Sequence, residues 1–497
     1  MTIINKDIDS NTLDIYVDEH EAIIAEMLYI KHHDNLIFDT SKAEWAVFTD
    51  GIWLKAEEAA KVLYEYYCQM ILDISRSQYP EINIGNAKWL KSTMNHGKFR
   101  STLKILELKT AKGVDKLNGA HSLIGIEGNV YDIEAKQARS AEAKDLVFKS
   151  LGTSYDSTAE CPEWRKFLGS AMQGNKEMID YLQRLVGYFL TASTKEQEVY
   201  YFYGSGANGK STFLDTVTAL LGNYSVKLSS KTFIKNNGGT NSVAAMANLA
   251  MLAGARLALT DETDDSNVSF DTQILKSVSG DAKVTGRFLR RNPITFDSTA
   301  KVVMYGNDKP YGNINDEGFW RRFRFIHFSH VVPKENRDAD LLNKLKQELP
   351  GILNWALEGL KAWQESGLNT PETLLKDSED YRVELDTIKE FLDASIEAEA
   401  GAVIPTSHLF DQYKTWTKEN LKDTESKQAF SKRIKHYFSK FNGVKPFIHN
   451  QVMVSNNLEC PHENKSNCTN YIDQVGEFEV YKDDKLVTKC IQVNVVI

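Results

Sequence analysis

The chain is 497 residues long, which is enough for about three domains of roughly 100–200 residues each. Hydrophobic residues make up 42% of it and charged residues 26%, as is usual in a water-soluble globular protein. No apolar run approaches the roughly 18 residues of a membrane-spanning helix, and the N-terminus has no basic stretch before an apolar core. We therefore expect neither a membrane protein nor a secreted one, but a protein of the cytosol in which it is made.

The net charge of −9 argues at first against a nucleic-acid-binding protein, but the charge is unevenly distributed. Between Lys276 and Arg324 there are ten Lys and Arg residues against five Asp and Glu residues, and between Glu425 and Lys445 there are six against one. Two basic stretches on an acidic chain are typical of a protein that touches DNA through selected surfaces. Solvated faces without a partner are the alternative.

Residues 1–160 predict a mixture of short strands and helices. Phe48 to Trp53 reads as a hairpin that turns at Asp50-Gly51, and Ala56 to Ile74 reads as a helix. Ile124 to Asp132 reads as a second hairpin, and a mainly helical stretch runs from Pro162 to Leu190. This part of the chain therefore predicts an α+β domain.

From residue 198 onward, β-rich runs alternate with helical ones, which predicts an α/β fold with a parallel sheet. The strand-like runs are Glu198 to Tyr203, Arg256 to Thr260, Ile294 to Phe296, Lys301 to Tyr305 and Phe323 to Phe328. A helix is predicted from Lys210 to Leu221.

The strongest motif is Gly204-Ser205-Gly206-Ala207-Asn208-Gly209-Lys210-Ser211, which fits the phosphate-binding pattern G-x4-G-K-[ST] at every position. Its glycines let backbone N–H groups face phosphates, Lys210 reaches the β- and γ-phosphates, and Ser211 ligates Mg²⁺. A strand precedes the loop and a helix follows it, as a nucleotide site requires. A purely structural glycine loop is the alternative.

An acidic pair, Asp261-Glu262, ends a strand that lies 51 residues after Lys210. Behind a phosphate loop, such an Asp holds Mg²⁺ and such a Glu activates the attacking water. The pair therefore favours hydrolysis of the nucleotide, whereas without the loop it would read as a plain turn.

A basic hairpin is predicted between Lys276 and Phe296. Lys283, Arg287, Arg290 and Arg291 would let it grip the phosphates of a DNA strand in the channel of a ring.

Two further motifs end this region. Asn307 follows a strand and could hydrogen-bond the γ-phosphate or the lytic water, or it belongs to an Asn-Asp turn before Pro310. Arg321 and Arg322 precede the next strand, where one of them could act on the nucleotide of a neighbouring subunit. An ordinary salt-bridged pair is the alternative.

The C-terminal region predicts a helix from Thr406 to Asn420, a basic helix from Ser426 to Phe441 and then strands, which is the order of a winged helix. Lys432, Arg433 and Lys435 are the predicted contacts to duplex DNA. Cys460, His462, Cys468 and Cys490 lack the usual zinc spacing, so we favour free thiols over a zinc site.

These motifs, in this order and spacing, resemble superfamily 3 helicases, a branch of the AAA+ ATPases, and in particular the primase-helicase proteins of satellite phages, plasmids and poxviruses. Asn208-Gly209-Lys210-Ser211-Thr212, Lys276 with Gly280-Asp281, and Phe319-Trp320-Arg321-Arg322 carry the likeness. Gly51-Ile52-Trp53 and Cys161-Pro162-Glu163-Trp164 resemble the helicase-associated domain of that family.

The resemblance implies a hexameric ring that binds ATP and Mg²⁺ and unwinds DNA from 3′ to 5′. By position, it assigns nucleotide binding to Gly204, Gly206, Asn208, Gly209, Lys210, Ser211 and Thr212. Mg²⁺ would be held by Ser211 and Asp261, while Glu262, Asn307 and either Arg321 or Arg322 would act in catalysis.

The resemblance also implies a domain order. We expect a helicase-associated domain over residues 1–165, an AAA+ ATPase domain over 166–345, a helical linker over 346–385 and a winged-helix domain with a β-rich tail over 386–497. Because that helicase-associated region begins near the start of the chain, we expect no primase domain, and a separate primase as a partner.

We therefore expect a DNA helicase that replicates a phage or mobile element in the cytoplasm of a bacterial host, with single-stranded DNA in the channel and duplex at the winged helix. An AAA+ initiator or loader, which uses ATP for assembly, remains the alternative. A DNA-binding protein with a degenerate ATPase is disfavoured because Lys210, Asp261 and Glu262 are intact.

Overall fold

The computed structural model describes residues 20–40, 43–76, 93–112, 121–234, 243–263, 270–280, 283–310, 317–395, 406–420, 422, 424–440, 479–482 and 485–489. The chain forms two compact units, Met1–Ser378 and Glu379–Ile497. Among the described residues, we find no helix with the length and apolar character that crossing a bilayer demands. The finer division into domains stays a prediction.

The first unit begins with a sheet whose strand order is β3-β2-β1-β4. Its strands are β1 (Leu36–Asp39), β2 (Glu44–Thr49), β3 (Ile52–Lys55) and β4 (Ala111–Lys112), and the helices beside them are α1 (His20–His32), α2 (Ala56–Arg76) and α3 (His96–Thr110). The predicted turn at Asp50-Gly51 joins β2 to β3, and both of its residues have positive φ. Apolar residues of the helices, such as Leu63 and Leu106, pack with Val47 of the sheet in one core.

A second antiparallel sheet follows, formed by β5 (Leu123–Ile126), β6 (Asn129–Asp132) and β7 (Gln137–Ser140). Its first two strands are the hairpin that the sequence predicts over Ile124 to Asp132. The turn of this hairpin touches the turn between β2 and β3, because a Cβ placed on Gly51 would lie 2.6 Å from the carbonyl oxygen of Gly128. Glycine at position 51 is therefore needed both for its positive φ and for this close approach.

The centre of the first unit is a five-stranded parallel sheet with the strand order β14-β8-β13-β10-β9. Its strands are β8 (Val199–Tyr203), β9 (Ser225–Leu228), β10 (Leu257–Thr263), β13 (Lys301–Gly306) and β14 (Phe323–His327). Strands β8 and β13 are buried along most of their length, as expected for parallel strands that are covered on both faces. The prediction of an α/β fold with a parallel sheet is confirmed.

Helices cover this sheet and connect its strands. They are α4 (Pro162–Ala171), α5 (Lys176–Phe189), α6 (Lys210–Leu221), α7 (Val243–Met251), α8 (Thr272–Ser279), α9 (Glu317–Trp320), α10 (Leu341–Gln347) and α11 (Leu349–Ser366). The predicted helix from Lys210 to Leu221 is observed with those bounds. Helices α5 and α11 approach closely, since a Cβ on Gly359 would lie 2.0 Å from the carbonyl oxygen of Gln183.

Two buried cations anchor the edge of the sheet at which the parallel strands begin. The guanidinium of Arg256 donates to the carbonyl oxygens of Leu190 and Leu123, and the ammonium of Lys301 donates to that of Thr191. Burial lowers the pKa of both groups. Because Leu190 and Thr191 follow α5, these cations satisfy carbonyl groups that the end of a helix leaves without a partner.

Helix α12 (Glu372–Glu384) leads into the second unit, whose further helices are α13 (Thr387–Ser395), α14 (Thr406–Glu419) and α15 (Lys427–Lys440). Side chains of the last three helices share one apolar core, which includes Phe391, Tyr413 and Phe430. Strands β15 (Glu479–Lys482) and β16 (Lys485–Lys489) pair in antiparallel fashion. The strand predicted after Pro446 lies outside the described residues, and the winged helix stays a prediction.

Candidate functional site

The topology of the central sheet places a crevice between β8 and β13. These strands are neighbours, but the strands that follow them in the chain lie at opposite edges of the sheet. The chain runs from β8 to β9 at one edge and from β13 to β14 at the other. In parallel α/β sheets, ligands bind outside the carboxyl ends of strands at such a switch point. The glycine-rich loop follows β8 and Asn307 follows β13, so both motifs lie at this crevice.

The glycine-rich loop has the backbone geometry that its glycines predict. Gly204 has a φ of 143°, and a Cβ there would lie 2.3 Å from the carbonyl oxygen of Phe328. Gly209 has a φ of 86° and stands directly before the first residue of α6. Asn208 is buried, donates to the carbonyl oxygen of Phe328 over 2.8 Å and accepts from the backbone N–H of Lys210. The loop is therefore held in shape by its own polar side chain.

Lys210 is the first residue of α6, and its ammonium lies between the carboxyl ends of β8 and β13. Its ammonium donates to the carbonyl oxygens of Gly204, at 3.1 Å, and Gly306, at 2.5 Å. Gly204 directly follows the last residue of β8, and Gly306 is the last residue of β13. Burial lowers the pKa of Lys210, and the charges of Glu262 and Asp308 oppose that shift. The lysine thus lies inside the crevice, with acidic residues of two strand ends close enough to act on it.

The remaining residues of the loop border open space or solvent. A Cβ on Gly206 would meet nothing within 4 Å, and Ser211 is exposed at the start of α6, with Thr212 half-buried after it. Room above the loop, combined with backbone N–H groups at a helix N-terminus, suits a phosphate chain.

The acidic pair lies near the end of β10, next to β13. The pairing register of these strands shifts between Leu259 and Glu262, so a bulge coincides with Asp261. Bulges re-aim side chains next to functional sites. Asp261 accepts a hydrogen bond from the backbone N–H of Ser230 over 2.5 Å, whereas Glu262 is exposed. The two carboxylates therefore differ in environment.

The structure shows how Mg²⁺ would fit. A carboxylate that is oriented through one oxygen, as Asp261 is by Ser230, is suited to ligate a metal through the other. Among the described residues, no group of three or more His, Cys, Asp and Glu side chains could hold a metal by itself. Mg²⁺ takes one or two protein ligands and completes its shell with phosphates and waters, so Asp261 and Ser211 would be enough to hold it.

Asn307 and the two arginines are placed differently from one another. Asn307 is exposed, and its carbonyl oxygen accepts from the N–H of Gly204 over 3.1 Å. Arg321 is exposed on the turn between α9 and β14. Arg322 is 7% exposed, and its side chain donates to the carbonyl oxygen of Gly318. The sequence leaves the choice between the arginines open, and of the two only Arg321 has an exposed side chain.

A basic hairpin is observed within the range predicted for it, but it begins at Lys283, because Lys276 to Ser279 belong to α8. Strands β11 (Lys283–Gly286) and β12 (Ile294–Asp297) pair in antiparallel fashion, and their connection carries Arg290, with a φ of 58°, and Arg291. The four basic side chains named from the sequence, Lys283, Arg287, Arg290 and Arg291, are exposed. The backbone N–H of Arg287 donates to the carbonyl oxygen of Met246 on α7, which fixes the base of the hairpin.

The second predicted DNA surface needs a correction. Arg433 is 6% exposed, and its guanidinium pairs with the carboxylates of Asp386 and Glu425. An arginine that is buried between two carboxylates is not available to DNA phosphates, so this part of the prediction is wrong. Lys432 is exposed, and the side chain of Lys435 lies outside the described residues, as do Asp281, Cys460, His462, Cys468 and Cys490.

Two polar clusters, one at each end of β8, carry no sequence motif. Asp377 of α12 accepts from the hydroxyl of Tyr203 at 3.0 Å and from the ammonium of Lys309 at 2.9 Å. At the other end of β8, Glu198 pairs with Arg324 at 2.6 Å. Each cluster joins residues far apart in the chain, so only the position of Lys309, two residues after Asn307, could have drawn attention to one of them.

Three families match successive parts of the chain. Residues 25–173 match a family described as D5 N terminal like, residues 202–322 match a family of unknown function (DUF5906), and residues 384–472 match a family described as Poxvirus D5 protein-like. The middle match contains the phosphate loop, the acidic pair, Asn307 and both arginines.

Individual relatives are viral proteins. "Putative helicase L207/L206" of Acanthamoeba polyphaga mimivirus is 25% identical over 60% of this chain and 33% of its own length. "Putative primase C962R" of an African swine fever virus isolate from Malawi is 21% identical over 84% of this chain and 42% of its own length. The chain thus spans less than half the length of these relatives.

Among solved structures, the C-terminal region of NrS-1 in its apo A form resembles the fold with a TM-score of 0.49 and 11% identity, over 88% of this chain and 100% of that one. The family matches and the viral relatives together support a relationship between this chain and the D5-like primase-helicase proteins.

Proposed function

We propose that the protein is an ATP-driven DNA helicase that works as a ring, with six subunits as expected of superfamily 3, in the replication of a virus or another mobile element. The observation that carries the proposal is the position of Lys210. Its ammonium bridges the ends of β8 and β13 and interacts electrostatically with Glu262. The lysine that we propose to bind phosphate and the carboxylate that we propose to activate water therefore lie close enough to interact at the switch point of a parallel sheet. Relatives named as helicase and primase support the same role.

The residues of this crevice divide the work of hydrolysis. The loop from Gly204 to Gly209 cradles the phosphates, and Lys210 leaves its two carbonyl partners to meet the β- and γ-phosphates. Ser211 and Asp261 would hold Mg²⁺, which would supply positive charge beside the phosphate oxygens. Glu262 takes a proton from water as the water oxygen bonds to the γ-phosphorus, and the bond from that phosphorus to the β–γ bridging oxygen breaks.

Asn307 and Arg321 complete the proposed site. Asn307 lies at the end of β13, from which its amide could orient the attacking water. Arg321, exposed before β14, would come from the neighbouring subunit and stabilise the charge of the transition state. Strand β8 precedes the phosphate loop and pairs with β14, so Arg321 and the phosphate loop lie at opposite ends of two adjacent strands. One subunit can therefore present a nucleotide site on one side and an arginine on the other.

The basic hairpin favours a helicase over an initiator or loader that hydrolyses ATP only to assemble. Its exposed Arg290 and Arg291 project from a base that is fixed to α7. Helix α7 is followed in the chain by β10, the strand that carries the acidic pair. The base of the hairpin can therefore move when the nucleotide is hydrolysed. A cationic loop that moves with hydrolysis can draw a DNA strand through a channel by its phosphates.

The experiment that tests the proposal is displacement of a labelled strand from forked DNA with ATP, with negative-stain imaging for rings. We expect unwinding by wild type and none by the Arg290→Ala, Arg291→Ala variant, which should keep its DNA-free ATPase. Arg100→Ala, Lys104→Ala is the matched control, because it removes two exposed positive charges from α3 instead. ATP hydrolysis and ring formation without any unwinding by wild type would favour the loader.

A further inference from the structure

The turn between α9 and β14 is built around arginine side chains and backbone carbonyls. The carbonyl oxygen of Arg322 accepts from the N–H of Val199, and the side chain of Arg322 donates to the carbonyl oxygen of Gly318. Arg324 donates from one terminal nitrogen to the carbonyl oxygen of Arg321 at 3.0 Å and to that of Phe323 at 3.1 Å. Carbonyls at the end of a short helix, which would otherwise lack partners, are thus held by side chains.

The other terminal nitrogen of Arg324 pairs with Glu198 at 2.6 Å. The side chains are 15% and 7% exposed, so the pair is shielded from solvent and weakly screened by salt. A planar guanidinium can bond in two directions at fixed angles, which a lysine ammonium on a flexible stem cannot reproduce. Glu198, at the start of the strand that leads to the phosphate loop, therefore fixes the orientation of Arg324, and Arg324 fixes the backbone of Arg321.

We propose that Arg324 and Glu198 are positioning residues that hold the Arg321 backbone so that its side chain reaches the nucleotide of the neighbouring subunit. The proposal rests on the proposed function, because it takes Arg321 as an arginine that acts in trans. Neither residue touches the nucleotide of its own subunit, since both lie at the end of the sheet opposite the phosphate loop. Their effect should therefore appear in the neighbour's turnover and leave their own nucleotide binding intact.

Arg324→Lys is the variant that tests the pair. It keeps a positive charge beside Glu198 but loses the second direction of hydrogen bonding to the Arg321 carbonyl. We expect kcat to fall by about 10- to 100-fold, the range that a shift of about 1 Å in a catalytic group can cause, with an unchanged KM for ATP. Arg139→Lys is the matched control: Arg139 makes a bidentate pair with Asp145 at 2.7 Å in the β5–β7 region, and its loss should leave kcat unchanged.

Mixed oligomers give a readout that a merely structural defect would not move. Lys210→Ala subunits cannot turn over ATP but carry an intact Arg321. When Arg324→Lys protein is mixed with excess Lys210→Ala protein, each Arg324→Lys site gains a neighbour with a correctly held arginine, and turnover per intact site should return toward the wild-type value. Arg321→Ala protein mixed in the same way serves as the reference, and unfolding curves establish that each variant is folded.

Each outcome either supports or overturns the positioning role of Arg324. A wild-type kcat for Arg324→Lys, or a loss that Lys210→Ala subunits do not rescue although they rescue Arg321→Ala, would overturn the positioning role and leave the proposed function standing. Failure to rescue Arg321→Ala as well, with mixed oligomers verified by mass, would overturn the arrangement in trans and the positioning role with it. Rescue of both variants supports both.

Discussion

The side-chain amide of Asn208 donates a hydrogen bond of 2.8 Å to the carbonyl oxygen of Phe328, a residue 120 positions further along the chain. This bond ties the phosphate loop to the residue that follows β14. The same strand begins after the turn that carries Arg321. One strand therefore links the loop that would hold a subunit's own nucleotide to the arginine that we propose for its neighbour's.

Replacing Asn208 by alanine should loosen the phosphate loop. The variant loses the bond to Phe328 and leaves the N–H of Lys210 without its acceptor, at a cost of about 1–3 kcal/mol for buried groups left unsatisfied. We expect a raised KM for ATP and a lower unfolding temperature. Asn354→Ala is the control, because Asn354 donates to two carbonyl oxygens, of Asp156 and Ala159, away from the crevice. An equal effect on KM in both variants would argue against a specific role.

Variants of Lys210 and Glu262 should separate nucleotide binding from nucleotide hydrolysis. Lys210→Ala should abolish nucleotide binding, measured with a fluorescent ATP analogue, because it removes the cation that faces the phosphates. Glu262→Gln should bind the analogue normally and stop hydrolysis, because the amide cannot take a proton from water. Turnover at the wild-type rate by Glu262→Gln would contradict its role as the general base.

How far the sequence predicts this protein depends on the range of the interactions. The turn at Asp50-Gly51 and the helix that begins at Lys210 follow from neighbouring residues, and both are observed. The crevice could also be predicted, because the carboxyl ends of parallel strands meet at one edge of their sheet. The prediction fails for Arg433. From the sequence this arginine lies on a basic helix that could face solvent or DNA, but in the structure it forms a buried pair with Asp386, 47 positions away in the chain.

The choice between Arg321 and Arg322 could not be made from the sequence for a related reason. Adjacent residues on a turn differ in exposure only through the elements that pack against them, and here the carbonyl of Arg322 bonds to Val199 of a strand far away in the chain. The pair of Glu198 with Arg324 likewise becomes visible only when β8 and β14 lie side by side.

The burial of Arg433 between two carboxylates leads to a prediction of its own. Arg433→Ala should strongly destabilise the second unit, by about 3–5 kcal/mol, because it leaves two carboxylates in the interior without their cation. Lys432→Ala, its exposed neighbour, should leave the unfolding temperature unchanged and weaken duplex binding with a smaller salt dependence. Chemical unfolding and DNA titrations at several salt concentrations measure both. A stable Arg433→Ala protein with impaired DNA binding would restore the original prediction.

The buried carboxyl of Glu198 should make stability depend on pH. Burial raises its pKa to about 7, opposed by the charge of Arg324 and supported by that of Glu196, with Tyr181 and Tyr200 as further neighbours. Between its ordinary pKa and about 7, the folded state binds a proton that the unfolded state has released, so stability is lost as the pH rises through that window.

Glu198→Gln should remove this dependence while keeping an oxygen that can accept from Arg324. Relative to the variant, wild type should lose on the order of 1–3 kcal/mol between about pH 5 and pH 8. Over the same range the ATPase of wild type should rise relative to that of the variant, because an ionised Glu198 holds Arg324 more firmly. Parallel curves for the two proteins, in unfolding and in ATPase, would show that Glu198 does not titrate there.

The last prediction concerns the ring, on which the role of Arg321 depends. Arg321 is exposed and separate from the phosphate loop, the acidic pair and Asn307, so its effect on hydrolysis has to come through another subunit. Arg321→Ala should bind ATP but hydrolyse it more slowly by a factor of about 10³–10⁵, the usual contribution of an arginine supplied in trans. Arg322→Ala should instead lower stability, since that side chain is buried against Gly318.

Mixing separates action in trans from action within one subunit. Arg321→Ala subunits keep a complete phosphate loop and acidic pair, and Lys210→Ala subunits keep the arginine, so an interface between the two contains every group that hydrolysis needs. ATPase measured across mixing ratios at fixed total protein should therefore rise to a maximum between the pure variants, each of which is inactive. A flat line at the level of the separate variants, with mixed oligomers verified by mass, would show that Arg321 serves no neighbouring site. The initiator or loader would then explain the intact nucleotide site better than a translocating ring does.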